Sequence, residues 1–597
     1  MLGSGWRSGA DRPARCHPSL QADLGGLMTG GFRIEIAFAE DGLRRRSQAR
    51  GAADFSCGNV AVWSREPLQH VDARSIIIGR LFEKFSAVPP AIECPGQVLT
   101  AEKGRKLLTD FWGGYVFVHI GRNGAVTIFR DPSGALPCYV KREADGISIA
   151  GDITELASPG SGAVDLGEVA RVLSSGDARG RRTCIEGIEE LIAGECLAVA
   201  DGKVALESWW TPWDHVTPRA NKDFETFAED LRNIVCGVAG TWSRCFSSIL
   251  LGVSGGLDSS IVAAGAAPAA RGLTCLTLFG PDADGDERRY ALAMATHLGL
   301  NIREVQREIG DIDVGRASAP NHPWPIVPIG RQTNEAIHER LAREMPVDAY
   351  FTGNGGDAVL CSLRSTIPLL DRVLAEGPSA RLGTTLRDIC LLTGADRRTV
   401  LRHAWDRHRR HGGRHQIRFN AAGLQPDAAR VARAAGATHP WLRPPRDILP
   451  GKTVHAAYLM RTQKSIELYP RAVSPPHVAP LISQPLMELC LSIPTWMWVS
   501  GGRNRAVARR AFDSALTSLV TARTSKGGPG GFDLLIYRRN RDRLHDRLRN
   551  GLLASEGIFD PALLDRAEDP TWRGVERIQR ILEFAAAENW VRWWSGS

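Results

Sequence analysis

The sequence lacks the long apolar segments that hold proteins in membranes. No hydrophobic run approaches the roughly 18 residues that a membrane-spanning helix needs, although hydrophobic residues make up 43% of the 597-residue chain. Residues 1–27 also lack the continuous apolar stretch of a secretory signal peptide. We therefore expect a cytoplasmic protein, in which residues 1–27 are either a disordered tail or the product of a misassigned start codon that belongs at Met28.

Paired cysteine motifs are missing as well. The twelve cysteines are scattered from Cys16 to Cys490, with no CxxC pair and no Cys/His cluster at zinc-binding spacing. Several of them, such as Cys275, lie inside apolar runs that are typical of strands. The pattern supports neither a zinc site nor a disulfide framework, and it predicts unpaired, mostly buried thiols.

Charge is uneven along the chain, which contains no low-complexity tract. The formal net charge is +8, and much of the basic excess lies in residues 397–419. Nucleic-acid binding is one interpretation of such a segment. A solvated helix face is the interpretation we favour, because the nearby aromatic residues do not alternate with the arginines as they do in a stacking platform.

The first part of the chain has the pattern of a β-rich domain. At 597 residues the chain is too long for one hydrophobic core, so we expect at least two domains. Short alternating runs such as "FRIEIAF", "YVFVHI", "AVTIFR" and "GISIAG" predict strands, and Asn123-Gly124 and Asp201-Gly202 predict tight turns. Residues 28–208 are thus predicted to form one domain, and residues 209–225, which contain two prolines, a linker.

After the predicted linker, apolar strands alternate with helices. An amphipathic helix over "DFETFAEDLRNIVCGVAGTW" is followed by the strand "FSSILLGV", the helix "SSIVAAGAA" and the strand "LTCLTLF". This order predicts a doubly wound parallel sheet. Residues 226–597 are therefore predicted to form a second, α/β domain whose C-terminal third is mainly helical.

A glycine loop closed by a carboxylate, "SGGLDS" (residues 254–259), follows the first of these strands. Ligands bind beyond the carboxyl ends of parallel strands, where glycines and a helix N-terminus favour an anion. Bare phosphate would repel Asp258, so the acid predicts Mg²⁺ between carboxylate and phosphate. The Walker sequence GxxxxGK[ST] is absent, and the loop resembles that of ATP pyrophosphatases, which adenylate a substrate with ATP.

Three further segments carry a resemblance to one family. Residues 111–140, "FWGGYVFVHIGRNGAVTIFRDPSGALPCYV", resemble the second half of a class II glutaminase. "TGNGGDAV" and "GGRNRAVARRAFDSALTSLVTARTSKGG" resemble the second magnesium loop and the C-terminal block of asparagine synthetases. The chain therefore resembles the asparagine synthetase family along nearly its whole length. This implies an N-terminal Ntn-type α+β domain followed by an adenine nucleotide α-hydrolase-like domain.

The resemblance also implies roles for individual residues. Asp258 and Asp357 would be magnesium ligands, and Lys526 would be the catalytic lysine. Arg505, Arg509 and Arg510 lie near Lys526 and could contact phosphate, but we expect at least two of them to be surface cations, and we expect His477 to be structural. The implied nucleotide-binding residues are those that supply loop donors (Ser254, Gly255, Gly256, Ser259), those that border adenine (Val253, Leu278, Phe279) and two nearby (Thr352, Gly353).

Three departures from the family pattern narrow the resemblance. Class II glutaminases need cysteine directly after the initiator Met, but position 2 is Leu and the alternative start gives Thr29, so we expect no glutamine hydrolysis. Asn354 stands where asparagine synthetases have glutamate. "HVAPLISQP" (residues 477–485) replaces their Pro-Phe-Leu-Asp element. This combination resembles the lasso peptide cyclases.

That branch implies a specific reaction. ATP would adenylate an Asp or Glu side chain of a leader-cleaved precursor peptide, and the N-terminal amine of the peptide would then close a macrolactam ring, with release of AMP and pyrophosphate. The implied partners are the precursor peptide and a leader peptidase, without a membrane or nucleic acid. Three alternatives stay open: an asparagine- or β-lactam-synthetase-type ligase acting on a small carboxylic acid, a tRNA-modifying ATP pyrophosphatase, and a degenerate binding scaffold.

Overall fold

The computed structural model describes most of the chain, in thirteen stretches. They are residues 31–38, 42–43, 50–84, 106–160, 163–176, 179–217, 222–280, 285–436, 438–464, 466, 474–524, 530–565 and 574–597. The predicted tail (1–27) lies outside them, as do Met28, Thr29 and Lys526.

Two six-stranded antiparallel sheets form the N-terminal half. Their strand orders are β10-β8-β9-β1-β3-β2 and β12-β11-β7-β6-β5-β4. The strands are β1 (Phe32–Ala37), β2 (Phe55–Cys57), β3 (Val60–Ser64), β4 (Leu68–Asp72), β5 (Ser75–Glu83), β6 (Phe111–Ile120), β7 (Val126–Arg130), β8 (Tyr139–Glu143), β9 (Gly146–Ala150), β10 (Ile188–Glu190), β11 (Glu195–Ala200) and β12 (Lys203–Ser208).

The two sheets share an apolar core, which explains the alternating sequence pattern. Ile34 of β1 lies in the same buried cluster as Ile78 of β5 and Val118 of β6. The predicted strands of this half are present, and both predicted turns close hairpins, between β6 and β7 and between β11 and β12. Asp201 and Gly202 adopt the positive φ values, 51° and 70°, that a tight hairpin turn requires.

A buried polar turn, Arg130 to Gly134, follows β7. The Arg130 guanidinium donates to the Glu190 carboxylate at 2.8 Å and to the backbone carbonyl of Leu136 at 2.7 Å. The Asp131 carboxylate accepts from the backbone N–H groups of Tyr115 and Ser133, at 3.1 and 2.7 Å. Burial raises the pKa of Asp131 to about 6. The turn is thus held by charged side chains whose hydrogen-bonding groups find partners inside the domain.

A five-stranded parallel sheet forms the centre of the C-terminal half, as predicted. Its order is β15-β14-β13-β16-β17, and every pair in it is parallel. Its strands are β13 (Ile249–Gly252), β14 (Leu273–Phe279), β15 (Asn301–Gln306), β16 (Ala349–Phe351) and β17 (His477–Val478).

Helices surround this sheet and make up most of the last third of the chain, as predicted. Two helices, α1 (Lys106–Asp110) and α2 (Leu166–Ser174), belong to the N-terminal half. The others are α3 (Phe224–Arg244), α4 (Leu257–Ala266), α5 (Arg288–His297), α6 (Arg331–Glu344), α7 (Gly356–Val359), α8 (Ile367–Glu376), α9 (Arg381–Thr393), α10 (Arg397–His411), α11 (Pro426–Ala434), α12 (Pro450–Gln463), α13 (Gln484–Ser492), α14 (Ala506–Ala511), α15 (Ser518–Thr521), α16 (Gly530–Arg549), α17 (Leu552–Ser555), α18 (Ala562–Asp565) and α19 (Gly574–Ser595).

The two halves pack together through aromatic residues. Phe82 and Trp112 of the N-terminal sheets meet Trp242 of α3, and the Phe82 and Trp242 ring centroids are 5.0 Å apart. The Glu488 carboxylate of α13 accepts from Lys84 Nζ at 3.2 Å and from Trp210 Nε1 at 3.1 Å. Residues 212–215 of the predicted linker form a 3₁₀ helix. One hydrophobic cluster therefore runs across the boundary between the halves.

A second long-range contact joins α2 to α19. Val169 and Leu173 of α2 share a buried cluster with Phe584 of α19. The Arg580 guanidinium of α19 donates to the Leu173 backbone carbonyl at 2.7 Å.

Across the described ranges, no helix combines the length and hydrophobicity needed to cross a bilayer. The ten cysteines in these ranges are all unpaired, and six of them, including Cys275, are buried.

Candidate active site

The glycine loop lies between β13 and α4, at the carboxyl edge of the parallel sheet. The Val253 N–H donates to the Leu276 carbonyl at 2.8 Å and continues the sheet by one residue. The chain then turns, and the Ser254 hydroxyl accepts from the Gly256 N–H at 3.3 Å before α4 begins at Leu257. The N-terminus of a ten-residue helix thus points out of this loop, which is the arrangement that favours an anion.

Glycine is required at position 255 for two reasons. Its φ is +60°, and a Cβ atom there would lie 2.3 Å from the Cβ of Tyr290. Side chains other than glycine rarely adopt this conformation, and the close approach of α5 leaves no room for one. Gly255 therefore lets the loop pack against α5 while Gly256 and Asp258 face the adjoining cavity.

The second predicted loop, Thr352–Gly355, follows β16 and touches the first. A Cβ on Gly353 would lie 2.6 Å from the Ser259 backbone nitrogen. A Cβ on Gly356 would lie 2.3 Å from Cγ of Asp258. The small residues of this loop thus allow the start of α7 to pack directly against Asp258, and this brings Asp357 close to it.

Arg505 joins the two predicted metal-binding carboxylates. Its Nη1 lies 2.6 Å from Oδ1 and 2.8 Å from Oδ2 of Asp258, and 2.9 Å from Oδ1 of Asp357. Arg505 has a φ of +56°, in the left-handed region that residues with a side chain rarely adopt. The backbone immediately before α14 is therefore strained at the residue that pairs the two acids.

The expectation that at least two of the three nearby arginines are surface cations is wrong. Arg505 forms the ion pairs just described, and Arg509 is buried, where it donates to the carbonyls of Asn504 and Arg523 at 2.8 and 2.9 Å. Burial, with Arg505 nearby, lowers the pKa of Arg509 to about 10. Only Arg510 of the three is a surface cation, paired with Glu225 at 2.8 Å. The sequence pattern could not separate them, because it does not show which side of α14 packs against the rest of the protein or that Arg505 turns toward the two acids.

The residues present fit a magnesium ion. Asp258 and Asp357 converge on one cationic group, and carboxylate oxygens are the ligands that Mg²⁺ prefers in proteins. Among the residues that the structure describes, no three His, Cys, Asp or Glu side chains form a metal-binding group. Magnesium usually keeps several waters and binds substrate phosphates beside one or two carboxylates, so two acids are sufficient.

A cavity of about 390 Å³ opens beside the two loops. Its volume lies within the range of about 300–1,000 Å³ that is usual for small-molecule sites. Phe279 lies outside it and packs under the Arg288 guanidinium, 3.8 Å from the ring centroid. Seven of the nine predicted nucleotide-binding residues line the cavity together with Asp258: Val253, Ser254, Gly256, Ser259, Leu278, Thr352 and Gly353.

A second cavity, of about 360 Å³, shares Gly256 and Asp258 with the first and is lined by arginines. Within the described part of the chain, Nε of Arg505 and Nε of Arg523 are buried without a hydrogen-bond partner. The charge of both guanidinium groups is already paired, by Asp258 and Asp357 for Arg505 and by Glu287 for Arg523. Because arginine pairs well with phosphate, the arginine lining makes this second cavity a candidate phosphate site.

Arg523 is a site residue that the sequence reasoning missed. Its Nη1 donates to the Ser254 carbonyl at 3.3 Å, its Nη2 pairs with Glu287, and its guanidinium lies 3.8 Å from the Tyr290 ring centroid. Arg523 thus holds the glycine loop in place through the hydrogen bond to Ser254. The available signal was its position three residues before Lys526, which itself lies outside the described residues.

The residues that set this chain apart from asparagine synthetases lie in two places. Asn354 lines the cavity of about 390 Å³ beside the two loops, and its N–H donates to the Thr352 hydroxyl at 3.3 Å. Gln484 instead reaches the N-terminal half, where its Nε2 donates to the Leu108 carbonyl at 2.9 Å, and the Ser483 hydroxyl accepts from Nε1 of Trp242 of α3 at 3.3 Å. His477 stacks on Tyr350 with ring centroids 4.8 Å apart, which fits the structural role expected for it.

Comparison with known families matches both halves. The asparagine synthase model matches residues 247–592, more than half of the chain. The chain belongs to the asparagine synthase family. A glutamine amidotransferase domain model matches residues 97–210. This asparagine synthase family member therefore has an N-terminal Ntn-type amidotransferase-like domain and a parallel-sheet synthase domain with C-terminal helices, as the sequence predicts.

Solved structures with similarity to this family member include two amidotransferases. One is titled as the allosteric regulatory enzyme of purine biosynthesis (10% identity, 47% of this chain and 75% of that chain, TM-score 0.19). The other is the glutamine phosphoribosylpyrophosphate amidotransferase from B. subtilis (10% identity, 55% and 72%, TM-score 0.18). A search of curated protein sequences found no match.

Membership of the asparagine synthase family establishes the class of reaction. The chain is an ATP-dependent carbon–nitrogen ligase of the asparagine synthetase type. The predicted recognition of the family and of the enzyme class is thus confirmed. The specific roles predicted for Asp258, Asp357 and the nucleotide-lining residues, and the domain boundaries at 208 and 225, stay predictions.

Proposed function

We propose that the protein is a peptide macrolactam synthetase of the lasso cyclase type, which adenylates an Asp or Glu side chain and joins it to the N-terminal amine of the same peptide. The observation that carries this proposal is Asn354 in the nucleotide cavity, next to the Asp258–Arg505–Asp357 cluster. A neutral amide replaces the carboxylate that asparagine synthetases place there, so no side chain at this position can accept a proton from an incoming ammonium ion.

The reaction has two steps, and both balance. A substrate carboxylate oxygen attacks the α-phosphorus of ATP, the bond to the β-phosphate breaks, and pyrophosphate leaves. The peptide amine then attacks the acyl carbon, the amide forms, AMP leaves, and the amine nitrogen loses a proton. Because the unperturbed pKa of an α-amine is near 8, proximity in the site can suffice for the second step.

The residues of the site would divide this work. Val253 and Leu278 would border adenine, and Ser254, Gly256 and Ser259 would hold the phosphates at the start of α4. Mg²⁺, held by Asp258 and Asp357, would neutralise phosphate charge and improve the leaving group. Arg505 and Arg523 line the second cavity and would place positive charge beside the departing pyrophosphate. Lys526 would stabilise the negatively charged transition state through its ammonium group.

A second candidate is an amide synthetase that joins ammonia to a small carboxylic acid. The match of residues 97–210 to a glutamine amidotransferase domain favours it, because such domains supply ammonia. Against it stands Asn354, a neutral amide in the cavity where asparagine synthetases have glutamate. The two candidates share the adenylation site and differ only in the nucleophile.

A reconstitution separates the two candidates. The protein, ATP, MgCl₂, a leader peptidase and a candidate precursor peptide are mixed, and the core peptide is analysed by mass spectrometry. Macrolactam formation predicts loss of one water from the core and release of one AMP. Release of AMP only with a small carboxylic acid and ammonia would favour the second candidate, and no AMP under either condition would contradict both. A cytoplasmic location and both protein partners remain part of this proposal.

Asp258→Asn and Asp357→Asn test the adenylation site itself. Each substitution removes one negative charge at the point where the two acids converge, so we expect AMP formation to fall by about two orders of magnitude or more. Asp427→Asn, on the surface of α11 and paired only with Arg430, is the matched control and should keep wild-type activity. Wild-type turnover by either site variant would contradict the magnesium assignment.

A further inference from the structure

A large basic cavity lies apart from the nucleotide site, between α10, the segment that follows it, and α12. Its volume is about 840 Å³. Among the described residues, arginines dominate its charged lining, and the acid among them is Asp406. The six arginines are Arg364, Arg407, Arg410, Arg414, Arg418 and Arg461.

Three of the six arginines in this cavity have no ionic partner among the residues that the structure describes. Within the described ranges, Arg364, Arg410 and Arg418 have no carboxylate within ion-pairing distance. Arg407 donates to the Gly413 carbonyl at 3.2 Å, and burial together with the charge of Arg418 lowers its pKa. Arginines that repel each other in a concave site cost free energy, and a bound anion would offset that cost.

The cavity adjoins the adenylation site through Arg364. This residue lines both the basic cavity and the arginine-lined cavity that contains Asp258 and Arg505. The short segment from Asp357 to Arg364 is tied to the site, because the Ser362 N–H donates to the Asp357 carbonyl at 2.8 Å and the Ser362 hydroxyl accepts from Asn504 Nδ2 at 2.8 Å. The basic cavity and the arginine-lined cavity are thus neighbours that share the Arg364 side chain.

The shape and the aromatic content of the cavity favour a peptide over a nucleic acid. Nucleic acids are bound along extended basic surfaces with aromatic stacking platforms. Here the site is concave, and Tyr458, its aromatic residue, already stacks under Arg461 with 5.6 Å between guanidinium carbon and ring centroid. Trp405, the exposed aromatic residue of α10, does not line the cavity. Arginine pairs well with carboxylates, often through two parallel hydrogen bonds.

We propose that this six-arginine cavity binds the side-chain carboxylates of an acidic segment of the peptide substrate and so holds the peptide beside the adenylation site. The inference rests on the proposed function, because it assumes a peptide substrate. It gives a role to residues 397–419 that differs from a merely solvated helix face. It also predicts which peptides are substrates: they would contain acidic residues in addition to the Asp or Glu that is adenylated.

Binding can be tested without ATP or catalysis. The probe is fluorescein-labelled hexaglutamate amide, with hexaglutamine amide as the neutral counterpart, and fluorescence anisotropy measures the Kd. The full-length protein should bind the acidic peptide, with an affinity that falls as salt rises, and should bind the neutral peptide at least tenfold more weakly. Equal binding of the two peptides would overturn the inference.

A pair of double variants locates the site. Arg410→Gln with Arg418→Gln removes two cavity cations and should weaken hexaglutamate binding tenfold or more. Arg402→Gln with Arg409→Gln removes the same charge from exposed positions of α10 that do not line the cavity, and should leave the Kd within twofold. Equal weakening by both variants, or none by the first, would overturn the proposal.

A labelled oligothymidylate of similar charge completes the test. It should bind more weakly than hexaglutamate, and tighter binding that also depends on Arg410 and Arg418 would replace the peptide proposal with a nucleic-acid one. These outcomes are independent of the proposed reaction. If the wild-type protein binds hexaglutamate but forms no macrolactam, only the proposed function is contradicted. If it forms the macrolactam but does not bind hexaglutamate, only the proposed role of the basic cavity is contradicted.

Discussion

Arg505 lies between two carboxylates and supplies the positive charge that both of them share. Two carboxylates from loops about a hundred residues apart share its guanidinium, and Asp258 is mostly shielded from solvent there. Without a cation between them, two such groups would repel each other. The guanidinium therefore stabilises the site in the absence of a metal ion and competes with one in its presence.

Arg505→Met tests that double role. Loss of the charge-assisted hydrogen bonds should destabilise the protein by about 1–3 kcal/mol in EDTA. Excess MgCl₂ should then raise the melting temperature of the variant more than that of the wild type, because Mg²⁺ no longer competes with the guanidinium. Differential scanning fluorimetry measures both effects.

Arg510→Met is the control for this experiment, since Arg510 pairs only with the surface residue Glu225. It should match the wild type with and without MgCl₂. A magnesium-induced shift in Arg505→Met no greater than that of the wild type would contradict the competition between guanidinium and metal.

At the scale of elements, the two glycine loops form the site by direct contact. The N-terminus of α7 packs against Asp258 because Gly356 has no side chain. The geometry of Asp258 thus depends on a residue that belongs to a different strand–loop–helix unit. The loops are adjacent because β13 and β16 are neighbouring parallel strands, whose carboxyl ends meet at one edge.

Gly356→Ala should therefore impair catalysis more than folding. The new Cβ would lie 2.3 Å from Cγ of Asp258, so the carboxylate or the loop must shift. A displacement of about 1 Å at a reacting centre can cost about 100-fold in rate, and we expect a loss of that order in AMP formation.

The matched control is Gly383→Ala in α9, where nothing lies within 4 Å of the added Cβ. Alanine favours a helix over glycine by about 1 kcal/mol, so this variant should be as active as the wild type and at least as stable. Full activity of Gly356→Ala would show that Asp258 tolerates displacement and would contradict the loop-contact explanation.

Buried His439 precedes the 3₁₀ helix Pro440–Leu442, and it predicts that the stability of the protein depends on pH. Its Nδ1 accepts from the Trp441 N–H at 3.1 Å, and burial lowers the pKa of its ring to about 3. Because the folded pKa lies below the unfolded value, the unfolded state binds the proton first. The contribution of neutral His439 is fully present above about pH 6.5 and is lost as the pH falls below it.

His439→Asn removes the titration and keeps a side-chain acceptor. The free-energy difference of unfolding between wild type and variant should shrink by about 2 kcal/mol between about pH 7 and about pH 5, at 1.36 kcal/mol per pH unit. Urea unfolding at the two pH values measures it. A difference that does not change with pH would contradict the buried, neutral state of this ring.

The sequence was sufficient to predict the strands and helices, but it was insufficient to predict the tertiary contacts between them. Alternation and turn pairs predicted β1, β7, β9 and the β11–β12 hairpin, because each signal is local. Seven of the nine residues that the resemblance implied for nucleotide binding line one cavity, since the loop itself is a contiguous motif. It misjudged Arg505 and Arg509 and missed Arg523. Their roles depend on which helix face meets a loop from 250 residues earlier, and no local pattern records that.

At the scale of the whole molecule, a hydrophobic core continues across the boundary between the halves. Trp242 of the synthase domain packs edge-on against Phe82, with an interplanar angle of 84°. Gln463 of α12 donates to the Pro132 carbonyl of the buried turn at 3.1 Å. An interface that continues the interior of both domains favours cooperative unfolding.

Trp242→Ala should break that cooperativity. Removal of a buried tryptophan costs about 3–5 kcal/mol, and here the cost falls on both halves. We expect the single thermal transition of the wild type to split in two, as calorimetry would show. Trp405→Ala, at a position 60% exposed, should leave one transition, and an unsplit transition in Trp242→Ala would show that other contacts hold the halves together.

The contact between α2 and α19 has a consequence for synthesis on the ribosome. Val169 and Leu173 emerge early, but Phe584, which completes their buried cluster, is made roughly 400 residues later. At bacterial or eukaryotic translation rates of about 5–20 residues per second, that delay is about 20–80 s. For this time the cluster is incomplete, even after α11 has packed against α2, so we expect nascent α2 to be a place where a chaperone holds the unfinished protein.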